Sequence, residues 1–84
     1  MTKSVHTKNY VRFLELLIKA RRDANVTQEQ VAEKLNRPQS FVSKYENGER
    51  RVDLVEFLEI AQAVGFDPVA FVRILTSSVN NSRR

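Results

Sequence analysis

Eighty-four residues, 42% apolar and 29% charged, describe one small folded unit without room for separate catalytic and regulatory domains. The absence of cysteine and the single histidine, His6, exclude disulfides, thiolate zinc sites, thiol catalysis and paired imidazole ligands, so no metal or cofactor is expected and apolar packing must hold the fold. The formal charge of +4 favours an acidic partner and is unevenly spread: six basic against two acidic side chains over 1–26, five against four over 27–52, three against four over 53–84.

The apolar spacing is helical almost throughout, which predicts an all-α chain. Tyr10, Phe13, Leu14, Leu17, Ile18 and Arg21 fall on one face and predict a first helix from Lys8 to Asp23, with Asn25 as a left-handed stop. Thr27 and Gln30 have capping-box spacing, and Val26 can staple against Val31, so a second helix should run from Gln28 to Leu35 and bury Val31, Ala32 and Leu35. Asn36-Arg37-Pro38 is a tight turn into a third helix, Gln39 to Asn47, stopped by Gly48. Val42 and Tyr45 form its inward stripe; Gln39, Ser40, Ser43, Lys44 and Asn47 fall on the other side. Asp53 and Glu56 make a second capping box for a fourth helix with Leu54, Phe57, Leu58, Ala61 and Val64 on one face and Gly65 as the stop. Asp67-Pro68 opens a fifth, with Val69, Val72 and Leu75 on one side and Phe71 and Ile74 spread to others. The polar stretch after Thr76 is expected to fray. The expected organisation is a loose N-terminal arm over 1–7, a folded domain over 8–76 and a flexible tail over 77–84. No apolar run approaches the roughly 20 residues needed to cross a bilayer, and no secretion signal follows the N-terminal lysine; the expectation is a cytoplasmic protein with no membrane partner.

Two short helices joined by a tight turn, the second with a polar outward face, are the physical description of a helix-turn-helix. A helix of eight or nine residues is about 12–14 Å long, a match to a major groove about 12 Å wide. The run from Thr27 to Leu35 and the run from Gln39 to Gly48 resemble the Xre family of phage-repressor and Cro-like regulators. Matching features include the Thr-Gln start, Ala32, the stretch Val42-Ser43-Lys44-Tyr45-Glu46-Asn47-Gly48, and Gly65-Phe66-Asp67. The resemblance covers roughly Leu14 to Val72. It implies a compact five-helix bundle in which helices 2 and 3 read double-stranded DNA. Gln28 corresponds to a position that holds a phosphate through its amide and the helix N-terminus. Gln39, Ser40 and Lys44 open the base-reading face, which Ser43 shares, and Arg21 pairs with Glu46 as a structural ion pair. Asn36, Arg37 and Pro38 depart from the family's usual glycine, apolar residue and Ser/Thr cap.

Glutamine can bond adenine N6 and N7, and lysine can donate to guanine O6 or N7. Arg37, Asn47, Arg50 and Arg51 flank the third helix as expected phosphate contacts. Phe41 has two readings, against a thymine methyl or packed on the turn. Lys3, Lys8 and Arg12 read as a solvated face, His6 as inert, and Glu29 with Glu33 as surface charge without a catalytic partner, so no enzyme is expected. Phe66, Phe71, Val72, Ile74 and Leu75 either close the core or form a dimer face; the dimer reading places Phe66, Phe71, Val72 and Leu75 in the interface. The expected function is sequence-specific transcriptional regulation, by a repressor that binds a pseudo-palindromic operator as a homodimer. The alternative is an antitoxin-type module that neutralises a protein partner and regulates its own promoter.

Overall fold

The computed structural model describes residues 7–82, with side chains as far as Val79. Lys3, His6 and the rest of residues 1–6, with Arg83 and Arg84, lie outside the described residues. Five helices and no strand are found among the described residues: α1 (Lys8–Asp23), α2 (Gln28–Leu35), α3 (Gln39–Glu46), α4 (Leu54–Val64) and α5 (Pro68–Ser82).

Local signals set most of these limits. Thr27 accepts the Gln30 N–H while Gln30 accepts the Thr27 N–H, and Asp53 and Glu56 repeat the exchange at α4, so both capping boxes close. The Thr7 hydroxyl accepts the Tyr10 N–H and starts α1. Pro38 precedes α3 without a side-chain cap. Four helices end alike, on a residue of positive φ: Asn25, Asn36, Gly48 and Gly65. In each case the next N–H turns back to a carbonyl in the last turn: Val26 to Arg21, Arg37 to Ala32, Glu49 to Lys44 and Phe66 to Ala61. Asn36 thus does the work of the family's glycine. At Gly65 a Cβ would meet nothing within 4 Å; glycine is favoured there by its φ of 99°, not by lack of space.

The core collects Leu14 and Leu17 of α1, Val31 and Ala32 of α2, Val42 and Tyr45 of α3, Phe57, Ile60 and Val64 of α4, and Phe71 of α5. Phe13, Phe57, Phe66 and Phe71 form a ring cluster with neighbouring centroids 5.0–5.9 Å apart, which joins α1 to the α4–α5 pair. The Tyr10 hydroxyl accepts the Val52 N–H at 3.1 Å and ties α1 to the loop after α3.

Three expectations are corrected. The buried face of α4 is turned from the one expected: Phe57, Ile60, Ala61, Ala63 and Val64 point inward, while Leu54 and Leu58 are exposed. The third helix ends at Glu46, with Asn47 as its C-cap. Helix α5 passes Thr76 and continues to Ser82, because it packs on α1, and Ser78 there accepts a hydrogen bond from Arg12 Nε.

Candidate nucleic-acid interface

At 3.6 residues per turn, α3 has an outward face and two flanks. Gln39, Ser40 and Lys44 are exposed on that face and Ser43 is half-buried beside them. The Lys44 side chain makes no hydrogen bond or ion pair with any described residue, whereas the Ser43 hydroxyl donates to the Ser40 carbonyl of its own helix. With eight residues, α3 is about 12 Å long, and it presents donors and acceptors over that length.

Glu46 organises one flank. Its side chain is 5% exposed and lies 2.7 Å from Arg21 Nε; Arg21 makes a second bond through its terminal nitrogen, at 3.1 Å, and also donates to the Val26 carbonyl. The expected pair between α1 and α3 is therefore bidentate and nearly dry. Bonding to Glu46 raises the Arg21 pKa against the opposing effect of burial, and burial beside Glu46 drives the Tyr45 phenol well above its ordinary range. Gln28 joins the network: its amide nitrogen donates to Glu46 at 2.9 Å, and its amide oxygen accepts from Gln39 Nε2 at 3.3 Å. The first residue of α3 is thus held through Gln28 to the buried pair. Sequence reasoning assigned Gln28 to phosphate and missed this link, because nothing local to either glutamine shows that they meet.

Phe41 and Glu56 organise the other flank. Phe41 is 7% exposed, with its ring edge-on to Tyr45, which decides between its two readings and removes it from the base-reading set. The guanidinium groups of Arg37 and Arg50 lie 4.3 Å and 4.8 Å from the Phe41 ring centre. Arg50 makes two bonds to the Glu56 carboxylate, at 2.9 and 2.8 Å, and Arg37 approaches it at 3.7 Å. The bonds from Arg50 are the main cause that holds the Glu56 carboxyl below its ordinary pKa. Both arginines, expected as phosphate ligands, are therefore engaged within the protein. The sequence marked Glu56 only as a capping-box residue; its role as a junction for three segments depends on the packing of α4 under the turn. Arg51 lies 4.1 Å from the centre of the Tyr10 ring, and the exposed Asn47 makes a long contact, 3.5 Å, with Glu49.

The expected dimer set is redistributed. Phe71 is a core residue, and Phe66 and Leu75 pack against the core, so of the four only Val72 is exposed. Exposed aliphatic side chains are found at Leu54, Val55 and Leu58 of α4 and at Val69, Val72 and Ile74 of α5. The surplus of apolar residues in both helices was readable in the sequence; which of them faced out was not. No group of acidic, histidine or cysteine side chains suited to a metal occurs among the described residues, and none of the described helices is long and apolar enough to cross a membrane.

A sequence model of a helix-turn-helix domain family matches residues 12–73. A solved structure of an XRE-family like protein from Pseudomonas syringae pv. tomato str. DC3000 is 45% identical and superposes with a TM-score of 0.84, over 92% of this chain and 94% of that one. The chain belongs to the Xre family of helix-turn-helix proteins. Membership makes it a DNA-binding transcriptional regulator and identifies α2 and α3 as the helix-turn-helix pair. A mutant of the restriction-modification controller protein C.Esp1396I shares the fold, with a TM-score of 0.78 at 22% identity over 88% of this chain and 94% of that one. No protein of curated function matches the chain.

Proposed function

We propose that this Xre-family chain is a repressor that binds a pseudo-palindromic operator as a homodimer, with α3 in the major groove of each half-site. The observation that carries the reading is the exposed row Gln39, Ser40 and Lys44 on a recognition helix fixed from behind by the buried Arg21–Glu46 pair. A recognition helix held rigid from within favours base discrimination, because little backbone freedom remains to be lost on binding. Gln39 and Lys44 are the principal base readers. Arg51 and Asn47 serve as phosphate-side residues next to α3, with the unpaired N–H groups at the start of α2 adding a helix-dipole contact. A chain with the +4 charge of this one adds a salt-dependent attraction common to all sequences.

The dimer is supported by the aliphatic surface of α4 and α5, where Leu54 and Val69 are 70% and 64% exposed, an apolar display that a lone soluble domain gains nothing by presenting. A two-fold pair reads two half-sites about 34 Å apart and squares the discrimination of one. Repression follows from occupancy of a promoter site that polymerase needs. The test is a salt titration on genomic operator fragments and on random DNA. Tighter binding to one fragment class, with log affinity falling linearly as log salt rises, is expected; equal affinity for all sequences overturns the reading. Sedimentation of the wild-type protein and of Leu58→Asp tests the assembly. The substitution should weaken dimerisation by at least about 30-fold, or about 2 kcal/mol, with the helical content unchanged. A wild-type chain that sediments as a monomer at operator-saturating concentration overturns the dimer.

A further inference from the structure

Glu56 holds two cations beside the helix that enters the groove. We propose that Glu56 is a specificity-determining residue which acts as an intramolecular stand-in for a DNA phosphate: by occupying Arg50 and Arg37, it restrains sequence-independent binding. The inference rests on the DNA-binding reading and concerns how that binding is kept selective.

Three observations carry it. The Glu56 carboxylate receives both ends of the Arg50 guanidinium, at 2.9 and 2.8 Å, and Arg37 at 3.7 Å, the planar fork geometry by which arginine also takes phosphate. The cations are nevertheless within reach of solvent, with side chains 41% exposed for Arg37 and 40% for Arg50, against 12% for Glu56. Their guanidinium groups stack on Phe41, the residue between Ser40 and Val42 on α3, so they lie along the flank of that helix. Two guanidinium groups share the Glu56 carboxylate, and Asp53 adds a further electrostatic attraction on Arg50.

Phosphate contacts raise affinity for every sequence alike, whereas base contacts discriminate. An acidic group that competes for two arginines removes more from random-site binding, which has only phosphate contacts, than from operator binding, which also has base contacts. A structural role alone predicts something different: loss of Glu56 would loosen the loop and lower all affinities without changing the number of ions released.

Glu56→Gln separates the two. Glutamine keeps the α4 capping box through its one amide oxygen, because Gln30 already fills the same position in α2, while the charge and the second acceptor oxygen of the fork are lost. In fluorescence-anisotropy titrations on random duplex DNA, the variant is expected to bind about three- to ten-fold tighter than wild type at low salt, with a log–log salt slope steeper by about 1. The ratio of operator to random affinity should fall. Adding Arg50→Gln to Glu56→Gln should return the slope toward the wild-type value, which also gives a readout should the single variant fold poorly. Unchanged or weaker random-DNA binding by a folded Glu56→Gln protein, or a slope that Arg50→Gln does not restore, overturns the proposal. A wild-type protein with no salt-dependent binding at all overturns the DNA-binding reading beneath it and this inference with it.

Discussion

The two flanks of α3 each gather arginine around one carboxylate, and they differ in burial. Glu46, 5% exposed, meets Arg21 at 13% exposure, with Gln28 filling a further acceptor site. Glu56, 12% exposed, meets two arginines that are each about 40% exposed. The first arrangement is matched in charge and largely shielded from water, and it holds α3 against α1. The second shares the Glu56 carboxylate between two solvent-exposed arginines, so its partners can exchange with an external anion. Pairs of the same chemistry thus serve orientation on one side and electrostatic tuning on the other.

The largest break in that comparison is expected from Glu46→Ala. It leaves Arg21 and Gln28 without their acceptor and should cost about 3–5 kcal/mol of unfolding free energy by urea denaturation, as removal of one partner of a buried pair does. A loss below about 1 kcal/mol, the range of a surface pair, would mean that the two flanks do not differ. Lys44→Ala comes next. It should lower affinity for the operator by about 1–3 kcal/mol and relax base preference at one position, leaving random-DNA affinity much less affected. Uniform weakening across sequences would instead make Lys44 a phosphate contact.

The smallest effect concerns pH and isolates the open flank. Because Glu56 titrates below its ordinary value in the folded state, its contribution to stability is complete above the unfolded glutamate pKa of about 4.3 and is lost as pH falls through the lower folded value. Wild type should therefore exceed Glu56→Gln in Tm by no more than a few degrees at pH 6, with the gap closing below about pH 4. A gap that widens on acidification would reverse the sign assigned to Glu56.

Much of the fold was legible because its signals are local. The caps at Thr27 and Asp53 and the left-handed stops at Asn25, Asn36, Gly48 and Gly65 act within one turn of the residues that carry them, and so did the polar row on α3. The outward face of the candidate site was legible for the same reason: Gln39, Ser40 and Lys44 are exposed on α3, as their spacing predicted. The site was not legible at Phe41, which needed Arg37 and Arg50 above it to become a core residue. Nor was it legible on α4 and α5, where apolar residues circle much of each helix and period alone does not single out the inward face.

A small basic all-α chain with a helix-turn-helix at its centre follows from local pattern, because helix limits and the polarity of a short amphipathic helix are set by neighbours along the chain. Only packing set which arginines pair with carboxylates inside the protein and which aliphatic side chains are exposed. Those properties depend on residues far apart in sequence, Arg21 with Glu46 and Arg37 with Glu56, and a charge or an apolar side chain acquires its role only when packing has settled what it faces.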